Sequence, residues 1–294
     1  MQRRDFLVGS AAAAAWAAGW TLRPERRTSH IRFGYAAITW NGNDRQAIDD
    51  ITAVGFHGIQ LRQSAIDTWG ARPDELKALL ARHHLTFVAL SSGNIALDAG
   101  KDADLDQHVA HARFLRAAGG QFLQVIDDRP TNPAPDDYQR LGHLLTDLGK
   151  RTADAGIPLV YHPHMGALGE GPDAIARILD AADARFVHLL LDTAHYQQGG
   201  GDPVDAVRRY AGRLRLLHLK DLQSPLPGGT PDSYRFVELG QGKVDIKGVC
   251  AALDAIAFDG WVVVELDAVT DPTRTPKESG AMARAYLERL GRKV

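Results

Sequence analysis

Cysteine is almost absent from this chain of 294 residues, which contains Cys250 alone. A single thiol cannot form a disulfide within the chain, and it cannot supply a zinc site built from several cysteines. Cys250 lies in the apolar stretch VCAALDAIAF, so we interpret it as a residue of the hydrophobic core. The sequence thereby excludes a disulfide-stabilised scaffold and a cysteine zinc finger.

An excess of charge of one sign is also absent. The chain has 34 basic and 36 acidic residues, mixed along its length, and a formal net charge of -2. This mixture provides no basic stripe for a nucleic-acid backbone and no polybasic membrane anchor. We therefore predict a small-molecule ligand, no nucleic-acid partner and no stable membrane anchor. Assembly into a homo-oligomer stays open.

The N-terminal apolar segment is too short to span a bilayer. Its sequence, QRRDFLVGSAAAAAWAAGW, places Arg3 and Arg4 before a Phe-Leu pair and a run of alanines. This pattern resembles a twin-arginine export signal, although a basic arm followed by an alanine helix is the alternative. We interpret residues 1–28 as a cleaved signal and linker, with cleavage near Ala17–Gly19, and we expect a periplasmic or secreted protein.

The rest of the chain alternates between apolar β-rich segments and longer amphipathic stretches of helical period. Eight strands are predicted, at residues 31–37, 58–61, 85–91, 121–126, 157–162, 186–192, 214–220 and 261–266. Nearly continuous apolar strands separated by helices indicate a parallel sheet that is buried on both faces. Eight units in about 265 residues predict an α/β fold, a (β/α)₈ TIM barrel that forms a single domain over residues 29–294. A doubly wound sheet is the alternative, but no glycine-rich loop follows the first strand.

Polar side chains close the last four predicted strands. His162, Asp192, His218 and Glu265 lie at the ends of the fifth to eighth strands, in that order. In such a barrel these strand ends meet on one face, and alternate residues point inward. Imidazole nitrogens and carboxylate oxygens bind Mn²⁺, Zn²⁺, Co²⁺ and Fe²⁺. The sequence therefore predicts a divalent metal site, although each residue alone also fits a structural hydrogen bond or a helix cap.

Three further residues near these strand ends are candidates for proton transfer. His164 lies two residues beyond the fifth-strand histidine, where it can reach a substrate or orient a ligand. Lys220 lies on the inward face of the seventh strand and can donate to an oxyanion or a leaving group; an ion pair with Asp221 or Glu238 is the alternative. His195 follows the sixth strand, where a hydrogen bond to the backbone is the alternative.

Four other residues are predicted to bind substrate. Trp40 and Trp69 follow the first two strands, where an indole can stack on a sugar ring or pack at the rim. Arg235 and Glu238 lie in the long polar segment 223–245, which we predict to be an active-site loop. A solvated surface is the alternative for this pair.

Five motifs in the second half of the chain resemble one known family. They are YHPHMG, LLLDTAHYQQGGGDP, LHLKD, ELGQGKVD and WVVVELD. In this order and spacing they resemble the xylose isomerase-like TIM-barrel superfamily, also called sugar phosphate isomerases and epimerases. The combination is most similar to the inosose (2-keto-myo-inositol) dehydratase branch. The resemblance covers about residues 31–290 and is specific in the second half.

The resemblance implies a divalent metal, most often Mn²⁺, with Co²⁺, Zn²⁺, Fe²⁺ or Mg²⁺ as alternatives. It implies that His162, Asp192, His218 and Glu265 hold this metal, which binds a keto-sugar so that the proton next to the carbonyl can be removed. Epimerases of the group usually carry glutamate at the position of His162 and often an acid at that of Gln60. The two-base pair of an epimerase is therefore incomplete in this chain.

We accordingly expect a carbon–oxygen lyase, a dehydratase or β-eliminating enzyme, that acts on a keto-sugar or keto-cyclitol. Its expected catalytic groups are Glu265, His164, Lys220 and His195, since a lyase needs one base and one acid. A sugar isomerase or epimerase and a non-catalytic periplasmic sugar-binding barrel stay open as alternatives. A DNA-repair nuclease of the same barrel type would need more metal ligands and a basic groove.

Overall fold

The computed structural model describes residues 28–97 and 101–294. The predicted export signal at residues 1–28 lies outside the described residues, apart from its final position. Among the helices that the structure does describe, none combines the length and apolarity needed to cross a membrane.

Parallel strands form the centre of the molecule. The strands are β1 (His30–Ala36), β2 (Gly58–Arg62), β3 (Thr86–Ile95), β4 (Phe122–Asp127), β5 (Leu159–Tyr161), β6 (Val187–Asp192), β7 (Leu214–Leu219), β8 (Asp221–Gln223), β9 (Arg235–Val237) and β10 (Asp259–Val264). Eight of them close into a barrel in the order β1, β2, β3, β4, β5, β6, β7, β10, and every barrel pair is parallel. The predicted single-domain (β/α)₈ barrel is confirmed.

Helices follow the barrel strands along the chain. They are a 3₁₀ turn (Ala37–Trp40), α1 (Asp44–Val54), α2 (Ala65–Trp69), α3 (Pro73–Arg82), α4 (Lys101–Ala117), α5 (Asp137–Asp154), α6 (Pro172–Ala181), α7 (Thr193–Gln198), α8 (Pro203–Arg209), α9 (Ile246–Ala255) and α10 (Pro276–Arg289). Polar caps begin several of them, because the first backbone N–H groups of a helix need acceptors. Thr275 and Glu278 form a reciprocal capping box at the start of α10.

The interior of the barrel explains why polar groups collect at one end of it. Leu190, Leu216 and Val263 belong to a small buried apolar cluster in which successive strands meet. Two residues further along the same strands come the polar strand-end residues, since every second side chain points inward. The larger hydrophobic core, which includes Cys250 as predicted, lies in the layer between strands and helices.

The segment after β7 folds as an insert on the barrel. Its strands β8 and β9 pair antiparallel, Asp221 opposite Val237. The buried carboxylate of Asp221 accepts hydrogen bonds from four backbone N–H groups, those of Leu222, Gly240, Gly242 and Val244. One strand-end side chain thereby organises both ends of the insert.

Some strand boundaries differ from those predicted. β5 covers only Leu159–Tyr161, whereas β3 continues to Ile95, past the predicted end at residue 91. The extension follows a register shift between Ser91 and Asn94 against β4. Gly93 has a φ of 94° there, a conformation that glycine adopts at little cost.

Candidate active site

Three donor side chains converge at the C-terminal end of the barrel. His162 follows β5, Asp192 ends β6 and His218 lies in β7, and one ligand atom of each lies within 4.8 Å of the others. All three are buried, and His162 Nε2, Asp192 Oδ2 and His218 Nδ1 have no hydrogen-bond partner among the described residues. Leaving buried polar atoms unpaired is costly, so this set of nitrogen and oxygen atoms fits a divalent cation.

Glu265 lies beside this cluster, immediately after β10. Its Oε2 is 3.4 Å from His218 Nδ1, and its Oε1 accepts a 3.0 Å hydrogen bond from Lys220 Nζ. Lys220 also donates to Asp267 Oδ1 at 2.5 Å and lies 4.0 Å from Asp192 Oδ2. Glu265 can therefore turn one oxygen to a cation while the other stays bound to the ammonium.

The ion-pair partners of Lys220 differ from the two considered in the sequence. Asp221 binds backbone amides of the insert, and Glu238 binds Arg274, so neither pairs with Lys220. Burial disfavours the ammonium, but Glu265, Asp192 and Asp267 outweigh this effect and hold the pKa of Lys220 above its ordinary value. Lys220 is thus a protonated donor rather than a base. Asp267 is a site residue that sequence reasoning missed, although it lies two residues after Glu265 and so on the same side of the chain.

A second group of histidines adjoins the first. Ligand atoms of His162, His164 and His195 also lie within 4.8 Å of one another, and the rings of His164 and His195 are 3.7 Å apart. His164 Nδ1 lies 2.7 Å from the Met165 carbonyl oxygen. Because a carbonyl oxygen only accepts, His164 carries its hydrogen on Nδ1 and leaves the lone pair of Nε2 free.

His195 is buried beside this pair. Neither of its ring nitrogens has a hydrogen-bond partner in the described part of the chain, so the structure does not support the alternative of a backbone-bonded ring. Its backbone N–H instead donates to Asp192 Oδ1, which caps α7. Burial holds the pKa of His195 well below its ordinary value, and likewise that of His162, so both rings favour the neutral form.

Two glutamines, one on β2 and one on β4, hydrogen-bond the outer ring nitrogens of His162 and His218. Gln124 Nε2 donates to His162 Nδ1 at 3.2 Å, and His218 Nε2 donates to Gln60 Oε1 at 2.9 Å. Gln60 Nε2 donates to Gln124 Oε1 at 2.7 Å, which completes a chain of three hydrogen bonds. Sequence reasoning noted Gln60 only as a departure from the family pattern and missed Gln124. The inward position of Gln124 on β4 was the available signal.

A cavity of about 180 Å³ opens beside these groups. Its lining includes Gln60, His162, His164, Glu265 and Asp267. From the insert, the Phe236 ring lies 5.1 Å from the His195 ring, and Lys220 Nζ lies 4.0 Å from the centre of the same phenyl ring. The insert therefore covers part of the site with an apolar face.

Both tryptophans predicted to contact substrate lie away from this cavity. Trp69 is 1 % exposed and belongs to the hydrophobic core, with the Arg45 guanidinium over its ring. Trp40 is buried, donates from Nε1 to Asp50 and meets Tyr35 edge to face. Because these contacts occupy both indoles, the structure does not support stacking on a sugar ring.

The predicted pair on the insert is also held elsewhere. Arg235 donates to Gln223 on the neighbouring strand at 2.8 Å. The Glu238 carboxylate accepts hydrogen bonds from Thr270, Arg274 and Ser279 and is 4 % exposed. These contacts give both residues a structural role in this arrangement, and neither lines the cavity beside the histidines.

The sequence is similar to curated bacterial enzymes over most of its length. The inosose dehydratase of Lacticaseibacillus casei is 27 % identical, with 88 % of this chain and 96 % of the relative covered. The inosose dehydratase of Geobacillus kaustophilus is 26 % identical, with 90 % and 96 % covered.

Solved structures share the same fold at lower sequence identity. A zinc-containing crystal structure of IOLI protein aligns with a TM-score of 0.74 and 17 % identity, covering 88 % of this chain and 97 % of the other. The probable 3-DHS dehydratase AsbF from Bacillus anthracis aligns with a TM-score of 0.73 and 15 % identity, covering 87 % and 98 %. These likenesses concern the fold.

A family model described as the xylose isomerase-like TIM barrel matches residues 48–287. The match spans most of the chain and includes every strand-end donor described above. It agrees with the resemblance in the motifs and with the closed barrel. The chain belongs to the xylose isomerase-like TIM barrel family.

Proposed function

We propose that the protein is a divalent-metal-dependent carbon–oxygen lyase, a dehydratase or β-eliminating enzyme, that acts on a keto-sugar or keto-cyclitol. The observation that carries the proposal is the set of buried atoms without a partner in the described residues, His162 Nε2, Asp192 Oδ2 and His218 Nδ1. The inosose dehydratases among the relatives support the substrate class. The broader prediction, an enzyme of the sugar lyase and isomerase or epimerase group, is confirmed by family and relatives.

The residues that would hold the metal are His162, Asp192, His218 and Glu265. When bound, a divalent cation would act as a Lewis acid that polarises a substrate carbonyl. The mixture of imidazole and carboxylate donors suits Mn²⁺, Fe²⁺, Co²⁺ and Zn²⁺, and we propose Mn²⁺. The zinc in the IOLI structure supports a divalent metal in a barrel of this fold.

His164 is the best-placed base. Its free Nε2 lies on a half-buried ring that lines the cavity, and its Nδ1 is fixed on the Met165 carbonyl. In the proposed reaction His164 takes the proton next to the carbonyl, and the electron pair of that C–H bond forms the new carbon–carbon double bond as the β C–O bond breaks. The departing oxygen takes the electron pair of the C–O bond, so an acid is needed to give it a proton.

Lys220 supplies the complementary positive charge. Its ammonium donates to Glu265 and Asp267, and its raised pKa keeps it protonated. A charged donor in a buried site stabilises a developing oxyanion and can protonate a leaving oxygen. The ring of His195 lies 3.7 Å from that of His164. We propose that His195 exchanges with His164 the proton taken from the substrate.

An isomerase or epimerase is less well supported by these side chains. Epimerisation needs a second base that returns a proton to the other face of the carbon. The inward positions on β2 and β4 hold the amides of Gln60 and Gln124, which do not titrate. A site with a base on one side of the substrate carbon only is better suited to elimination than to epimerisation.

Metal content and hydrogen exchange test the proposal together. Purified wild type should hold close to one divalent metal per chain after incubation with Mn²⁺, and Asp192→Asn and Glu265→Gln should hold less. With a keto-cyclitol in D₂O, wild type should exchange the proton next to the carbonyl and release water, and His164→Gln should do neither while keeping its metal. Arg235→Gln, outside the cavity, is the control. A folded wild type without metal, or deuterium exchange without elimination, would contradict the lyase proposal.

We also propose that the protein acts outside the inner membrane. The support is the N-terminal pair Arg3 and Arg4 with the alanine-rich segment that follows. Free sugars and oxidised glycosides then become better substrate candidates than phosphorylated sugars. Replacing both arginines by lysine should leave the full-length chain in the cytoplasmic fraction, whereas the same fractionation of wild type should give a shortened periplasmic protein. Equal distribution of the two would contradict export.

A further inference from the structure

The hydrogen-bond chain between the two metal-binding histidines has a direction. An amide nitrogen only donates and an amide oxygen only accepts, so each bond fixes the next. His218 donates from Nε2 to Gln60, Gln60 donates to Gln124, and Gln124 donates to His162 Nδ1. The nitrogens that face the centre of the site are the other two, His162 Nε2 and His218 Nδ1.

This direction decides which inward nitrogen has a free lone pair. A histidine that binds a metal does so as the neutral imidazole, with one hydrogen on one nitrogen. His162 accepts at Nδ1, so its hydrogen is on Nε2 and points into the site. His218 donates from Nε2, so its inward Nδ1 is bare and faces Glu265 at 3.4 Å.

Turning both amide groups over reverses all three bonds without moving a heavy-atom position appreciably. His162 then donates from Nδ1 and has a bare Nε2, while His218 accepts at Nε2 and carries an inward N–H toward Glu265 and Asp192. Both inward nitrogens become bare only if both histidines donate outward. Gln60 and Gln124 would then face each other with two NH₂ groups at 2.7 Å, which forms no hydrogen bond.

We propose that Gln60 and Gln124 are positioning residues that allow only one of His162 and His218 to bind the cation at a time. The inference rests on the proposed metal site and narrows its donors to one histidine with Asp192 and Glu265. The second histidine presents an N–H donor, which suits the recognition of a substrate oxygen beside the cation. The hydrogen-bond chain depends on His162 and Gln60, which occupy positions where the family pattern favours acids.

The tautomers of the two rings test the inference in the metal-free protein. In ¹⁵N-histidine-labelled wild type at alkaline pH, the fraction of rings with hydrogen on Nε2 should be the same for His162 and His218. Resonances are assigned from the His162→Gln and His218→Gln variants. In Gln60→Glu the new carboxylate accepts from both His218 and Gln124, which frees Gln124 to turn its oxygen to His162. His162 should then carry hydrogen on Nδ1 and His218 on Nε2.

The same variant should bind Mn²⁺ about tenfold more tightly, a typical effect of a partner behind a metal ligand. Gln124→Glu makes the equivalent change from the other side and covers a failure of the first variant to fold. Gln63→Glu adds the same charge outside the chain of hydrogen bonds and should keep the wild-type tautomers. Wild-type rings with hydrogen on different nitrogens, or variant tautomers equal to wild type, would overturn the inference. Because these spectra need no metal or turnover, they are independent of whether the proposed reaction occurs.

Discussion

Replacement of Lys220 should lower the free energy of unfolding strongly. Its buried ammonium neutralises Glu265 and Asp267 and lies near Asp192. Lys220→Met keeps the volume but leaves buried carboxylates unpaired, which costs about 3–5 kcal/mol. We expect a large loss of stability in urea unfolding without metal, and a partial recovery when Mn²⁺ replaces the lost positive charge.

Lys277→Met provides the matched control for this substitution. Lys277 is half exposed and lies 3.9 Å from Asp50, so its loss should change the free energy of unfolding by less than about 0.5 kcal/mol. Equal stability of Lys220→Met and Lys277→Met would contradict the neutralising role of Lys220.

His188 makes stability depend on pH. Burial, with Arg215 and Arg213 nearby, lowers the pKa of His188 from 6.5 to about 4, and its buried Nδ1 has no partner in the described residues. As the pH falls, His188 is protonated near pH 6.5 in the unfolded chain but only near pH 4 in the folded chain. Stability is fully present above the unfolded pKa and falls as the pH drops through this interval.

His188→Gln should remove this part of the acid sensitivity. Relative to wild type, the variant should gain about 1–2 kcal/mol between neutral pH and pH 4, after allowance for partial exposure. Unfolding in urea at a series of pH values measures the slope. An unchanged slope would show that other groups dominate the acid loss.

The inward alternation on the strands is the reason the strand-end donors were predictable. His162, Asp192, His218 and Glu265 carry charge or imidazole at positions fixed by local sequence and by the general geometry of a barrel. Gln124 shares the inward position, but a neutral amide does not by itself indicate a metal ligand or a base, and its importance depends on Gln60, 64 positions earlier in the chain.

The predicted substrate contacts depended on partners that the sequence does not reveal. Trp40 follows a strand as expected, but its indole N–H donates a hydrogen bond to Asp50 on α1, and the ring is buried in the core. Arg235 and Glu238 likewise find partners on other elements, Gln223 and Arg274. Loop side chains choose among many partners, so their direction follows from tertiary packing rather than from spacing.

At the scale of elements, the insert with β8 and β9 depends on Asp221. Asp221→Ala removes the acceptor for four backbone N–H groups, of which those of Leu222 and Val244 are buried and cost about 1–3 kcal/mol each when left unpaired. Hydrogen exchange should therefore accelerate at Gly240, Gly242 and Val244 while the barrel strands keep their protection. Asp232→Ala, an exposed change in the same insert, should leave exchange as in wild type. Uniform acceleration across the barrel would instead indicate a global role for Asp221.

At the scale of the whole molecule, the proposed metal site would couple cation binding to folding. The candidate ligands lie at the ends of four strands that are separated in the chain, so only the closed barrel brings them together. A cation that binds the folded state alone stabilises it by about 2.7 kcal/mol at a free concentration one hundred times its Kd. Mn²⁺ should therefore raise the Tm by several degrees. Asp192→Asn keeps an oxygen for the α7 cap and should lose most of this increase; an equal increase in both would place the cation elsewhere.

The anchoring of the insert by Asp221 has a consequence for how ligands enter. Hydrogen bonds to Asp221 hold both ends of the insert in place. The insert therefore needs little ordering when a ligand binds. We therefore expect ligands to enter from another side of the cavity, whose lining includes Ile38 and Arg62. We expect selectivity for ligand size to depend on those residues, while the phenyl ring of Phe236 stays in place beside His195 and Lys220.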